Sequence, residues 1–230
     1  MSHTKQYFDR YKPRYSEGRI APVLAYLKGK KDFTILELGC GDAVNLKKIS
    51  TVTKNVRFFG IEESEGYRKL WPFRSDDFFV RSVLEDNLEP KINQKFDFIL
   101  IAYLFHHLIG RSRSQSMQNV DKCLKSAKSM LKKGGTILIL EPIFEPSSLM
   151  TALFYVKKFF SLFSKNRIKV FGYWNNIGAP IVSYLSEKQL KEIIEINDLK
   201  IVEEGQKTGP SGLLIRLITT KRSDYFAVLR

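Results

Sequence analysis

The sequence predicts an α/β fold built on a doubly wound, mostly parallel sheet. Three observations carry that expectation. Short runs rich in Ile, Leu, Val and Phe recur along the chain, the stretches between them have helical spacing, and the first apolar run breaks directly into a glycine turn. Strands that alternate with helices pack in parallel, because returning to the same end of a sheet needs a helix-length connection.

Taken in order, the chain starts with Tyr7-Phe8-Asp9-Arg10-Tyr11-Lys12-Pro13-Arg14-Tyr15, which mixes aromatics with cations inside an expected N-terminal helical segment over 1–30. The first strand is expected over 33–38, a helix over 44–49 and a second strand over 56–62. A helix near Tyr67 and Leu70, a third strand over 78–82 and a fourth over 96–102 follow. A long helix over 115–131 stops at Lys132-Lys133-Gly134-Gly135, where cations meet the carbonyl end of the helix and glycine lets the chain turn away. The fifth strand is expected over 136–141. Beyond a cap insertion over 145–180 come a helix over 187–196, a strand over 200–204, the turn Gly209-Pro210-Ser211-Gly212 and a strand over 213–220. Two closing strands so near in sequence predict an antiparallel edge.

Composition narrows the function classes. With 230 residues, 43% hydrophobic and 27% charged, the chain can bury one sizeable core, so residues 1–230 read as a single domain. No apolar run reaches the roughly 18 residues needed to span a bilayer, and Met1-Ser2-His3-Thr4-Lys5-Gln6 lacks the apolar region of a secretory signal. A cytoplasmic protein is expected, with peripheral contact to a membrane open to it. Cys40 and Cys123 make no CxxC or His-rich pattern, so the reading is two reduced thiols and no metal site. The net charge of +14 favours anionic partners such as nucleic acid, an anionic membrane surface or phosphorylated substrates, unless it reflects only a lysine-rich background.

The chemistry begins at Ile35-Leu36-Glu37-Leu38-Gly39-Cys40-Gly41-Asp42-Ala43. Two glycines after a buried strand let the backbone pass close beneath a ligand, and free N–H groups at the start of the next helix can donate to an anion. The dinucleotide pattern GxGxxG is not met, since position 44 is Val, and no GxxxxGK[ST] loop occurs. An acidic pair, Glu62 and Glu63, ends the second strand, where a carboxylate can accept ribose hydroxyls or simply favour a helix N-terminus.

Read together, Glu37-Leu38-Gly39-Cys40-Gly41-Asp42-Ala43, Gly60-Ile61-Glu62-Glu63-Ser64, Phe96-Asp97-Phe98-Ile99-Leu100, His106-His107-Leu108 and Leu131-Lys132-Lys133-Gly134-Gly135-Thr136 followed by Leu138-Ile139-Leu140-Glu141-Pro142 resemble the ordered motifs of class I S-adenosylmethionine-dependent methyltransferases. The resemblance runs from about Tyr7 to Thr220, covers 145–180 poorly, and lies with the group that methylates small molecules, lipids and quinones. It implies a Rossmann-like sheet of seven strands, mostly parallel with one antiparallel edge strand. It also implies S-adenosyl-L-methionine as cofactor.

Carried over residue by residue, the resemblance gives Glu62, with Glu63 beside it, the ribose hydroxyls, and Glu37 the methionine ammonium. Gly39, Cys40 and Gly41 form the turn beneath the cofactor. Ser82 stands where related enzymes often carry an Asp facing the adenine amino group. The backbone N–H of Val83 remains available to the ring, while Glu85 and Asp86 read more simply as a solvated loop. Ala102 and Tyr103, at the end of the fourth strand, should face the reacting methyl group. Tyr15, Tyr7 or Tyr11 caps the methionine end, or else packs a docking helix. His107 and Glu141 are the candidates for a general base; packing is the alternative for both, as it is for His106.

The reaction needs little more. A sulfonium is already an excellent leaving group, so positioning supplies most of the acceleration and a base is needed only when the nucleophile must lose a proton.

The insertion holds the information on specificity. From 148 to 170 the chain carries Leu149, Met150, Leu153, Phe154, Val156, Phe159, Phe160, Leu162 and Phe163, with Lys157, Lys158, Lys165, Arg167 and Lys169 interleaved or trailing. Such a segment acts as a lid, lies in a membrane interface, or packs as a plain cap helix. The leading expectation is methyl transfer to a small-molecule or lipid-like acceptor. An RNA or other nucleic-acid methyltransferase is the alternative that the charge favours, although no [Asn/Asp]-Pro-Pro-[Tyr/Phe] loop and no RRM, KH or zinc pattern occurs. A third reading is a non-catalytic cofactor-binding relative acting as a partner protein.

Overall fold

A computed structural model describes residues 18–163, 181–208 and 221–230. Seven strands form one sheet in the order β3-β2-β1-β4-β5-β7-β6. They are β1 (Lys31–Leu38), β2 (Lys54–Glu62), β3 (Phe78–Val80), β4 (Phe96–Ala102), β5 (Leu131–Glu145), β6 (Ile201–Thr208) and β7 (Lys221–Leu229). The first five are parallel, and β7 runs against both β5 and β6, so the antiparallel edge is the β7–β6 pair.

Alternation along the central strands explains the layers. Ile35 belongs to a core with Phe58, Leu100, Leu138 and Leu140, covered by α1 (Ala21–Leu27) and α2 (Val44–Ser50). Leu36 and Leu38 point the other way, into a larger core with Phe59, Ile61, Ile99, Ile101, Ile137 and Ile139. There α3 (Leu88–Ile92), α4 (Arg113–Ser129) and α6 (Glu187–Ile196) supply Leu88, Val120, Leu124, Leu190 and Ile193. Each such side chain contributes about 1.5–3 kcal/mol when it leaves water, which holds the strand ends in register for the site above them.

Capping sets the helix starts. Ser112 Oγ accepts the Gln115 N–H at the start of α4. At α6, Ser186 and Gln189 form a reciprocal capping box, which explains why that helix begins where the sequence pattern predicts.

Several expectations shift. The segment near Tyr67 and Leu70 is a 3₁₀ turn, Glu65–Leu70, that buries none of its residues and so has no apolar face to lengthen it. The fifth strand starts at Leu131: Phe96 pairs with Leu131 and Phe98 with Thr136, so Lys132 to Gly135 bulge out, with Gly134 at φ 77°. The expected strand over 213–220 lies outside the described residues, and β7 begins just after it. Its charged opening, Lys221-Arg222-Ser223-Asp224, hides a strand whose Tyr225 to Leu229 are buried. The expected cap helix is α5 (Ser147–Phe163); the rest of that insertion and the segment holding Tyr15 lie outside the described residues.

Candidate active site

Winding changes direction between β1 and β4. Loops at the carboxyl ends of β1 to β4 surround a cleft of about 340 Å³ there. Gly39, Gly41, Glu62, Glu63, Ser82, Val83, Tyr103 and His107 line it; Glu37, Cys40, Ala102 and Glu141 lie buried behind it. Tyr67, Arg81 and Leu104 also line the cleft, and the sequence pattern did not single them out for it.

The first turn is shaped by backbone conformation. Gly39 and Gly41 have φ of 69° and 51°, and the N–H groups of Gly39 and Cys40 both donate to Ile61 O, at 2.8 and 3.1 Å. A Cβ on Gly39 would stand 2.7 Å from Leu104 Cδ1, whereas one on Gly41 would meet nothing within 4 Å. Gly39 is therefore held by its positive φ and crowded by the Leu104 side-chain end, and Gly41 presents bare backbone to open space. Cys40 turns its thiol inward, where a Cβ on Gly60 would lie 2.5 Å from Sγ. Burial, reinforced by Glu37 and Glu62, pushes that thiol's pKa up, which makes it inert.

Glu62 closes the turn from the opposite side. Its Oε2 accepts the Gly41 N–H at 3.1 Å and its Oε1 accepts the Ser64 N–H at 3.0 Å. One lone pair on each oxygen is left for a further donor. Burial raises the carboxyl's pKa, and the N–H groups of Ser64, Gly41 and Glu63 pull it back. Glu63 stays exposed at the rim.

Beneath the turn Glu37 is 1% exposed. Asn45 Nδ2, on α2, donates to its Oε1 at 2.6 Å, and Oε2 has no partner among the described residues. Burial pushes the carboxyl up to about 8, opposed by the Asn45 hydrogen bond. An uncommitted carboxylate oxygen this deep calls for a cation or donor. Asn45 is a site residue that sequence reasoning missed, since nothing local marks an Asn one turn into a helix as facing the preceding strand.

After β3, Ser82 Oγ accepts the Leu84 N–H at 3.3 Å, which leaves Val83 buried at the cleft wall. Glu85 pairs with Arg81 and Lys91, and Asp86 with Lys122, so both acids are spent on surface ion pairs, as a solvated loop requires.

After β4 the chain bends at Tyr103, φ 54°, into a 3₁₀ turn, Phe105–His107. The turn keeps the adjacent histidine rings in contact, centroids 4.0 Å apart, with different outer partners. His106 is buried against Tyr184, with ring centroids 5.2 Å apart, and His107 faces the cleft. Burial drives His106 down to about 3 and His107 well below its usual value, so both rings are neutral at pH 7. Glu141 Oε1 accepts the Phe105 N–H at 2.6 Å, and Oε2 lies 2.9 Å from His106 Nδ1. Burial pushes Glu141 up to about 8 against the pull of the Phe105, Leu104 and His106 N–H groups. Burial thus favours the neutral form of both partners, a carboxyl beside an imidazole.

The sequence profile of a methyltransferase domain matches residues 8–204. The chain belongs to that methyltransferase family. It is an S-adenosylmethionine-dependent enzyme, and the non-catalytic reading falls with that assignment. No curated protein matches this methyltransferase. Among solved structures, the CcbJ methyltransferase from Streptomyces caelestis is 14% identical over 100% of this chain and 99% of its own, with a TM-score of 0.59. The N-methyltransferase NodS from Bradyrhizobium japonicum is 16% identical over 91% and 92%, TM-score 0.53. The Burkholderia thailandensis 1,6-didemethyltoxoflavin-N1-methyltransferase, whose structure holds 1,6-didemethyltoxoflavin and S-adenosylhomocysteine, is 14% identical over 94% and 79%, TM-score 0.55. These likenesses show the shared fold.

Past the end of β4 in this methyltransferase, Arg19 lies over the Tyr103 ring at 5.3 Å and within 3.9 Å of Asp224 on β7. Burial and Asp224 raise the Tyr103 phenol's pKa, so the hydroxyl keeps its proton. Arg113, 4% exposed, donates to Ser183 Oγ, the Tyr184 carbonyl and Gln189 Oε1, and so anchors the chain that returns from the cap. Asp224 and Arg113 were invisible in the sequence because their partners lie tens of residues away.

Proposed function

We propose that this enzyme transfers the methyl group of S-adenosyl-L-methionine to a small-molecule or lipid-like acceptor held over the cleft between β1 and β4. The observation that carries the reading is Glu62, its two oxygens held by the Gly41 and Ser64 N–H groups beside an open glycine. An acceptor-rich carboxylate next to bare backbone suits a ribose diol. Glu62 takes the diol, with Glu63 at the rim. The free Oε2 of Glu37 suits the methionine ammonium, and Gly39, Cys40 and Gly41 supply the backbone floor. Ser82 and Val83 border the adenine, while Ala102 and Tyr103 stand beside the reacting carbon. Tyr15 remains a proposed cap on the methionine end.

When bound, the cofactor supplies an electrophilic methyl on a sulfonium leaving group. The chain positions the acceptor and excludes water with Tyr103, Leu104 and Leu108. His107, neutral and at the cleft wall, is the base for acceptors that must lose a proton. Glu141, with both oxygens engaged, holds the post-β4 turn in place. The 1,6-didemethyltoxoflavin bound in the Burkholderia thailandensis neighbour supports the small-acceptor class, as does the apolar cap. The proposed compartment is the cytosol; among the described residues no helix is long and apolar enough to cross a membrane.

Labelled S-adenosylmethionine incubated with fractionated lipid, small-molecule and RNA pools tests the acceptor class. Label is expected in the organic-soluble or small-molecule pools; label in RNA alone overturns the proposal.

A further inference from the structure

We infer that α5 docks this methyltransferase onto an anionic phospholipid surface. The inference rests on the proposed lipid-like acceptor and names the surface on which that acceptor is met. Ala152, Tyr155, Val156 and Phe159 share one face of the helix, and Tyr155, Val156 and Phe159 are 47%, 49% and 56% exposed. The opposite face buries Met150 and Phe154. A helix apolar on both sides, one side facing water, signals a surface meant to be covered.

Charge selects what covers it. Residues 147–170 carry Lys157, Lys158, Lys165, Arg167 and Lys169 and no Asp or Glu at all. Lys158 reaches the carbonyl of Arg111, itself exposed, so a further cation lies beside the helix. An exposed apolar stripe in a segment with five cations and no acid matches the headgroup boundary of an anionic bilayer, with the apolar side chains entering the acyl region. A second copy of the chain, also at +14, is repelled.

Position ties the stripe to the reaction. α5 leaves the carboxyl end of β5, and Tyr155 Oη accepts the Arg113 N–H at 3.4 Å at the start of α4. The loop before α4 contains the cleft residues His107, Leu108 and Ile109. Docking through α5 therefore brings the cleft's end of the sheet to the lipid, where an amphiphile's headgroup is within reach.

Vesicle sedimentation tests this with the full chain, using phosphatidylcholine vesicles and vesicles of equal parts phosphatidylcholine and phosphatidylglycerol. The wild type is expected to pellet with the anionic vesicles and not with the neutral ones. Val156→Glu/Phe159→Glu is expected to lower that partitioning about tenfold or more, with S-adenosylmethionine affinity unchanged by calorimetry. No pelleting with anionic vesicles, equal pelleting with both, or pelleting indifferent to the double substitution overturns the docking. Self-association lost in the double variant also overturns it. A chain that binds vesicles but not S-adenosylmethionine refutes the cofactor assignment and leaves the docking standing.

Discussion

Glu62 Oε2 accepts the backbone N–H of Gly41 at 3.1 Å, so the end of β2 clasps the turn that follows β1. One carboxylate thus shapes the glycine turn and offers its remaining lone pairs to the cleft. Glu62→Ala should weaken S-adenosylmethionine binding by about 1.5–3 kcal/mol, the worth of a hydrogen bond to a charged group. It should also lower the melting temperature, since two part-buried N–H groups lose their acceptor. Calorimetric titration checks the first effect, and unchanged affinity removes the ribose assignment.

The two glycines separate fold from binding. Gly39→Ala forces a Cβ into Leu104 at positive φ and should destabilise the protein by about 1–3 kcal/mol. Gly41→Ala meets no protein atom, pays only the left-handed strain of about 1 kcal/mol, and should chiefly weaken the cofactor, because its methyl occupies the cleft. Thermal melts and titrations on the pair distinguish the two; equal effects on binding would contradict the geometry.

Glu37 predicts a proton-linked cofactor. Its carboxyl is raised to about 8 in the folded chain, so at pH 7 it is largely protonated, and pairing with an ammonium requires the charged form. Cofactor binding at pH 7 should therefore release close to one proton and tighten as pH rises toward 8. Titration in two buffers of different ionisation enthalpy measures this, and identical apparent enthalpies refute it.

Stability follows the same sign. A carboxyl with a raised folded pKa contributes fully below its unfolded value, near 4.5, and loses that contribution as pH rises through about 8. With Glu37 and Glu141 both in this position, cofactor-free protein should lose stability between roughly pH 5 and 8, by up to about 5 kcal/mol per carboxyl at about 1.4 kcal/mol per pKa unit. Glu37→Gln should flatten the slope. Denaturant melts across that range decide it.

Glu141 and His107 should separate as well. Glu141→Ala orphans the Phe105 N–H and the His106 ring, with an expected cost of about 1–3 kcal/mol and a disordered post-β4 turn. His107→Ala should cost less stability than Glu141→Ala, since it orphans no backbone N–H among the described residues, and should lower turnover, most at low pH if it acts as a base. An unchanged melt for Glu141→Ala would return that residue to the list of candidate bases.

Much of the architecture was legible along the chain. β4 and α6 fall where periodicity places them, because an apolar run and a Ser-x-x-Gln capping box are local properties that folding did not override. The glycine turn was equally plain, since two glycines directly after an apolar run mark a turn that glycine adopts without strain. β7 was not: its charged first residues resemble a surface loop, and only pairing with β5, from Ile137–Leu229 to Glu145–Lys221, and with β6 makes them a strand.

The site divides along the same line. The sequence by itself determined the strand–turn–helix that forms the cleft floor, the acid at the end of β2 and the apolar, acid-free cap. Tertiary structure alone decided that Glu37 keeps one oxygen uncommitted above Asn45, that His107 faces the cleft while its neighbour binds Glu141, and that α5 leaves an apolar stripe in water. The reason is range. Periodicity and φ preferences act over a few residues, whereas the direction and partner of a side chain depend on which elements the sheet brings together.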